Sequence, residues 1–173
     1  MTAVTRIGVA IAVPEPWGEQ LRAFRREMGD TSAQGIPTHI TLVPPCNLEP
    51  SRLQEVERHL DRAAKANEPF RIHLRGTGTF RPTSPVVFVA VVAGISACEL
   101  LASAARSGPL ASDPTFPYHP HVTVAHGLGE EELDRAFEQL ATFACEFTVD
   151  RFALYVHDAA TGWKAARLFR LGR

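Results

Sequence analysis

Histidine and threonine recur in one pattern at two places in this 173-residue chain: His39-Ile40-Thr41-Leu42 and His121-Val122-Thr123-Val124. An imidazole with its ordinary pKa of ~6.5 takes or gives a proton at neutral pH. A hydroxyl two residues further on can donate a hydrogen bond to a non-bridging phosphate oxygen. Two such units on opposite sides of a groove would flank one phosphorus atom with a base and an acid, needing neither a metal nor a covalent intermediate. His39 and His121 are therefore the candidate catalytic pair, and Thr41 and Thr123 the candidate phosphate-binding hydroxyls.

The spacing tells which element must carry each unit. Side chains alternate across a β-strand, so each His shares a face with its Thr, while Ile40/Leu42 and Val122/Val124 share the opposite face. That is a strand with an aliphatic side in a core and a polar side on a cleft. One copy alone is equally well explained as a half-buried strand with a polar outer face. Two copies, each with a proline within two residues before it (Pro37 and Pro120), favour chemistry.

Around these strands the chain alternates helical and extended patterns. A continuous aliphatic run at 6–13 reads as a buried strand stopped by Pro14. Helices are expected at 16–28, with Trp17, Leu21, Phe24 and Met28 on one face, and at 51–67, where Ser51 and Gln54 form a capping box. Two strands at 70–80 and 85–93 are joined by a turn at 81–84, and a helix covers 96–106. The first motif strand is expected at 38–43 and the second at 120–125, with breaker-rich loops at 29–37 and 111–118. A helix at 130–140, acidic in its first turn, precedes a hairpin of 147–157 and 163–171. The echo of strand and helix order around the two motifs suggests duplication, with no linker or tandem repeat dividing the chain.

Together with Val43-Pro44-Pro45 after the first motif and Tyr118-His119-Pro120 before the second, these residues resemble the 2H phosphoesterase superfamily, and within it the bacterial 2′-5′ RNA ligase-like and RNA 2′,3′-cyclic phosphodiesterase group. The resemblance implies an α+β fold: one domain spanning 1–173, made of two intertwined pseudo-symmetric lobes. Their antiparallel sheets would face a central cleft with helices outside. It implies His39 and His121 as the acid–base pair, by analogy His39 protonating the leaving ribose oxygen and His121 activating water. Thr41 and Thr123 would hold the phosphate. The implied reaction is metal-independent opening of a 2′,3′-cyclic phosphate to a 2′-phosphate, with weak 2′-5′ ligation as a second activity and no cofactor. The partner would be an RNA terminus or a small cyclic nucleotide. The alternative reading is a catalytically silent nucleotide-binding module on the same fold.

The chain departs from the group at one place. Members often carry a basic residue, commonly Arg, three positions after the second Thr, where this chain has His126. Protonated His126 could replace it at the phosphate, although 126 and 121 differ in strand parity. His119 shares parity with His121 and is a candidate rim contact; a metal reading through His119, His121 and His126 lacks further ligands at a recognisable spacing. Phe80 and Tyr118, ahead of Trp17, are candidate surfaces for stacking a nucleobase. Arg71, Arg75 and Arg81 share parity and could form a basic wall or a solvated face. His59 and His73 have no partner motif.

Composition is that of a globular protein, 45% hydrophobic and 21% charged, and Lys+Arg 18 against Asp+Glu 19 gives −1, so no global basic field points to long nucleic acid. Cys46, Cys98 and Cys145 are scattered and odd in number, which suggests neither a disulfide framework nor a thiolate metal site. No signal-like or membrane-spanning segment is evident, so the expectation is a cytoplasmic monomer.

Overall fold

Residues 3–33, 35–114 and 116–173 are described by the structure, a computed structural model. Gln34 and Thr115, inside the two expected loops, lie outside the described residues. The rest form eight strands in two four-stranded antiparallel sheets, with four α-helices.

The first sheet has the order β2-β1-β7-β8 and is built on β1 (Thr5–Ala12). As an inner strand β1 is covered on both faces, which is why its sequence is continuously aliphatic rather than alternating. Helix α1 (Trp17–Glu27) connects it to β2 (His39–Leu48), the edge strand that carries the first motif. Pro44 and Pro45, expected to end this strand, lie within it. An edge position makes this possible, because one side of the strand owes no amide to a neighbour.

The second sheet has the order β5-β4-β3-β6. After α2 (Leu53–Lys65), β3 (Phe70–Thr79) and β4 (Val86–Ala93) form a hairpin. Gly94, at φ 94°, turns the chain into α3 (Ile95–Ala105); a Cβ there would lie 2.5 Å from the Arg71 carbonyl oxygen, so only glycine fits. The chain then reaches β5 (His121–His126), which carries the second motif at the edge of its sheet. Helix α4 (Glu130–Gln139) and β6 (Ala144–Val149) follow. The units β1-α1-β2 and β4-α3-β5 are thus topological copies, each ending in a motif strand at a sheet edge. One core joins everything, drawing Ile7, Ile40 and Phe152 from the first sheet and Leu74, Val89 and Val122 from the second.

Two local expectations are corrected. The strand expected at 147–157 is two strands: β6 ends at Val149 in the second sheet, and β7 (Arg151–Asp158) begins in the first, pairing with β8 (Gly162–Arg170). Asp150 is the crossing point between sheets. The capping box at Ser51 and Gln54 is not formed either. Pro50 starts a 3₁₀ turn over Pro50–Arg52, so Ser51 is already coiled when an N-cap residue must be extended, and α2 begins at Leu53 with no side-chain cap.

The two halves are pinned behind the motif strands by one buried carboxylate. Asp30 accepts from Arg25 Nε at 2.9 Å and from the Ser32 amide at 3.0 Å, and Ser32 Oγ also bonds it. Its Oδ2 also accepts the His126 amide of β5 at 3.1 Å. The Arg25 and Asp30 side chains are 9% and 1% exposed, so this ion pair is inaccessible to water. Asp30→Ala would leave the Arg25 guanidinium buried and uncompensated, at a cost of about 3–5 kcal/mol. Urea denaturation should show that loss, and a change below about 1 kcal/mol would contradict the assigned role.

Candidate active site

His39 and His121 are the first residues of β2 and β5, and each ring is held in the same way. His39 Nδ1 lies 2.6 Å from the Pro37 carbonyl oxygen, and His121 Nδ1 lies 2.7 Å from that of His119. A carbonyl can only accept, so Nδ1 of each ring carries the hydrogen. Each Nε2 is left as the titrating nitrogen, a proton acceptor when the ring is neutral and a donor when it is charged. The carbonyl two residues upstream fixes both tautomer and orientation.

Both motif strands then bulge at the same point. Thr41 pairs with Ala10 and Val43 with Val9, leaving Leu42 as the extra residue; Thr123 pairs with Phe88 and Ala125 with Val87, leaving Val124. The histidines and threonines are half-buried, whereas Ile40, Leu42, Val43, Val122, Val124 and Ala125 are buried. The bulge therefore keeps two successive aliphatic residues on the core side in each copy. It also overturns the parity argument for His126. Residue 126 pairs with Val86, two register steps from the Thr123–Phe88 pair with the extra residue between, so it returns to the face of His121 and Thr123. Its side chain is exposed on that face.

The two edge strands lie against each other, and Thr41 stands where two cavities meet. One, of about 100 Å³, is lined by His39, Thr41, Tyr155 and Trp163. The other, of about 920 Å³, is lined by Thr41, His121, Phe80, His119, Tyr118 and Arg106. The His121 ring sits in an aromatic corner, its centroid 4.9 Å from Phe80, 5.3 Å from Phe88 and 6.0 Å from His119. Phe88 carries no signal in the sequence, being one ring in an aliphatic run. It fits because Gly78 opposite has no side chain: a Cβ there would meet the ring at 2.6 Å.

Other candidates take different positions from those expected. Tyr118 lines the large cavity, yet its hydroxyl donates to the Thr41 carbonyl at 2.8 Å and the Arg106 guanidinium covers its ring at 4.8 Å. It is a strut between the halves more than a free stacking surface. Arg106 itself, absent from the sequence reading, donates from Nε to the Leu42 carbonyl at 2.6 Å. The bulge at Leu42 is what offers two adjacent carbonyls to these two residues. The arginine wall does not form: Arg81 lies beyond β3, paired with Glu130 and Asp134, and Arg71 pairs with Glu146. His59 is buried against the Ala105 carbonyl, and Trp17 packs on Phe147. Among the described residues no three His, Cys, Asp or Glu side chains are grouped to hold a metal ion, and no helix is long and apolar enough to cross a membrane.

Burial pushes the pKa of both imidazoles below the ordinary value. The bonds to Pro37 and His119 oppose this, while nearby Arg25 reinforces it at His39, and His119 and His39 reinforce it at His121. His39 is thus close enough to act on the charge of His121.

Comparison with known proteins places the chain in a family. The model of the 2′-5′ RNA ligase superfamily matches residues 13–161. The chain belongs to that superfamily. Among curated superfamily relatives, an inferred phosphoesterase of Oceanobacillus iheyensis is 29% identical over 97% of this chain and 99% of its own length. One from Geobacillus kaustophilus is 27% identical over 96% of each chain. Of the solved structures, E. coli LigT in apo form superposes with TM-score 0.71 at 20% identity over 99% of both chains. LigT complexed with 3′-AMP gives 0.70 at 20% identity, covering 99% of this chain and 100% of that one. The fold is therefore the superfamily's α+β arrangement, with two antiparallel sheets bearing one His-x-Thr-x strand each.

The lowered imidazole pKa values have a consequence for stability. Above ~6.5 both rings are neutral folded or unfolded, and stability is complete. As pH falls below that value, the unfolded chain takes up protons first, and stability is lost until the folded-state pKa values are passed. The fall in Tm between about pH 7 and pH 5 should be smaller in His39→Gln than in the wild type. Parallel Tm curves would contradict a buried, neutral His39.

Proposed function

We propose that this protein is a metal-independent phosphodiesterase that opens 2′,3′-cyclic phosphates of RNA ends or nucleotides to 2′-phosphates. The observation that carries the reading is the matched tether of His39 and His121, which leaves one titrating Nε2 on each motif strand, with Thr41 lining the cavities beside both rings. Membership of the 2′-5′ RNA ligase superfamily and the phosphoesterase description of curated relatives support it. So does the 3′-AMP complex of the structural neighbour LigT.

The chemistry follows from the geometry. Water approaches the phosphorus as neutral Nε2 of His121 takes its proton. The new P–O bond forms as the bond to the ribose 3′-oxygen breaks, and that oxygen takes the proton from Nε2 of charged His39. Thr41 and Thr123 donate hydrogen bonds to the non-bridging oxygens, whose charge grows in the transition state. The product is a 2′-phosphate and a free 3′-hydroxyl, with His121 charged and His39 neutral until solvent exchange resets them. An RNA 5′-hydroxyl in place of water would give a 2′-5′ linkage by the same path. His119, Phe80 and Tyr118 line the cavity beside His121, and exposed His126 stands where the group often carries a basic residue.

Purified protein should open 2′,3′-cAMP in excess chelator, with the regiochemistry read by phosphorus NMR. His39→Ala and His121→Ala should each lose about 10²–10⁴-fold in kcat with the fold intact by circular dichroism. Thr41→Val and Thr123→Val should each lose about 10²-fold. Full activity in either histidine variant would sink the proposal. Binding without product would make the protein a nucleotide-binding module, and chelator-sensitive turnover would assign it to metal-dependent hydrolases. The pH profile is a second check. In the free enzyme the acid must be charged although burial opposes it, so kcat/KM should peak on the acid side of ~6.5. A bound phosphate anion favours both charged rings, so the kcat profile should shift to higher pH; a shift the other way would contradict the assignment.

A further inference from the structure

Four arginines in the described residues are buried or half-buried: Arg22, Arg25, Arg81 and Arg106. The first three contact carboxylates, of Glu19, of Asp30, and of Glu130 and Asp134. Arg106 contacts none among the described residues. Its Nε is committed to the Leu42 carbonyl and one face to the Tyr118 ring. Its two terminal amino groups donate to no acceptor among the described residues, and it lines the 920 Å³ cavity next to Thr41 and His121. Partial burial without a counter-charge is unfavourable, and it lowers the arginine's proton affinity. Asp113 is the one carboxylate lining the same cavity among the described residues; it is exposed and forms no bond to Arg106.

A held guanidinium with free, paired donors is a fork awaiting a planar anion such as phosphate. Leu42 follows Thr41 directly, so the fork lies beside the proposed scissile phosphate but is not part of the His-x-Thr-x units. The cavity in front of it is walled by Pro44, Pro45, Pro114 and Pro117, with Phe116 exposed at 66%. Rigid apolar walls, an exposed ring and one fixed cation suit a sugar and base attached to a phosphate.

We propose that Arg106 forms a second anion subsite that takes the 5′-phosphate group of the nucleotide bearing the cyclic phosphate. The substrate class is then an RNA end, or a nucleotide with a 5′-phosphate, in preference to a bare nucleoside cyclic phosphate. This rests on the proposed reading of the site, but it can be tested without turnover.

Calorimetry on the full chain compares 2′-AMP with adenosine 2′,5′-bisphosphate, which differ by the second phosphate alone. The bisphosphate should bind about 10-fold tighter or better, as expected for a charge-assisted pair. Arg106→Gln should bring the two affinities together. Arg106→Lys, which keeps the charge without the fork, should retain part of the difference and serves if the Gln variant fails to fold. Equal affinities in the wild type, or a preference that survives Arg106→Gln, would overturn the subsite. A preserved Arg106-dependent preference in a protein that opens no cyclic phosphate would overturn the catalytic reading and leave the subsite standing.

Discussion

A single buried carboxylate ties the second motif strand to the first half of the chain. Asp30 neutralises Arg25 from the end of α1, orders the turn at Ser32, and accepts the backbone amide of His126 at the end of β5. Each of these partners belongs to a different segment. Satisfying an inaccessible carboxylate tolerates little displacement, because every lost donor leaves charge unpaired at low dielectric. The register of β5 against the first half is thereby held by an interaction that never meets solvent. The proposed sharing of one phosphorus by two imidazoles on separate sheets requires that this register be kept.

From the opposite side, Tyr118 and Arg106 hold β2. An edge strand leaves carbonyls unpaired, and the bulge at Leu42 turns two successive ones toward α3 and the loop before β5. The second motif strand bulges at Val124, one residue past its threonine, as the first does. Pro44 and His126 follow the bulges at equivalent positions. The repeated unit is thus longer than His-x-Thr-x: it is a tethered imidazole, a cleft-facing hydroxyl and an irregularity that returns the chain to the cleft. Pro44 lines the large cavity on one side, and the His126 imidazole is exposed on the other copy's cleft face.

Much of this was legible because strand alternation is a local rule. His39 and Thr41, like His121 and Thr123, could be set on one face from spacing alone, and four helices followed from apolar periodicity. The failures share a cause: alternation continues in the sequence where the backbone interrupts it. Residues 145, 147 and 149 point inward in β6, but 152 and 154 do so in β7, a one-residue phase slip at Asp150–Arg151 that marks the change of sheet. Read as one strand, the slip is invisible. His126 was misplaced for the same reason, since one uncounted bulge residue inverts every later parity.

Arg106 and Phe88 were invisible for a different reason. Neither stands in a motif, and each acquires its place from a distant contact: Phe88 from the space left by Gly78, and Arg106 from carbonyls freed by a bulge in another sheet. Their roles also differ in how much chemistry they permit. Phe88 and Phe80 shape the low-dielectric corner that lowers the proton affinity of His121, so the ring is neutral and able to accept a proton at neutral pH. The base we propose at His121 would need no neighbouring carboxylate. A carboxylate beside it would raise the pKa and, at the phosphate, repel the substrate. Among the described residues the pair's own hydrogen bonds run to backbone carbonyls in both copies. Charge enters the cleft from Arg106 and from the protonated imidazole, both of which a phosphate can stabilise.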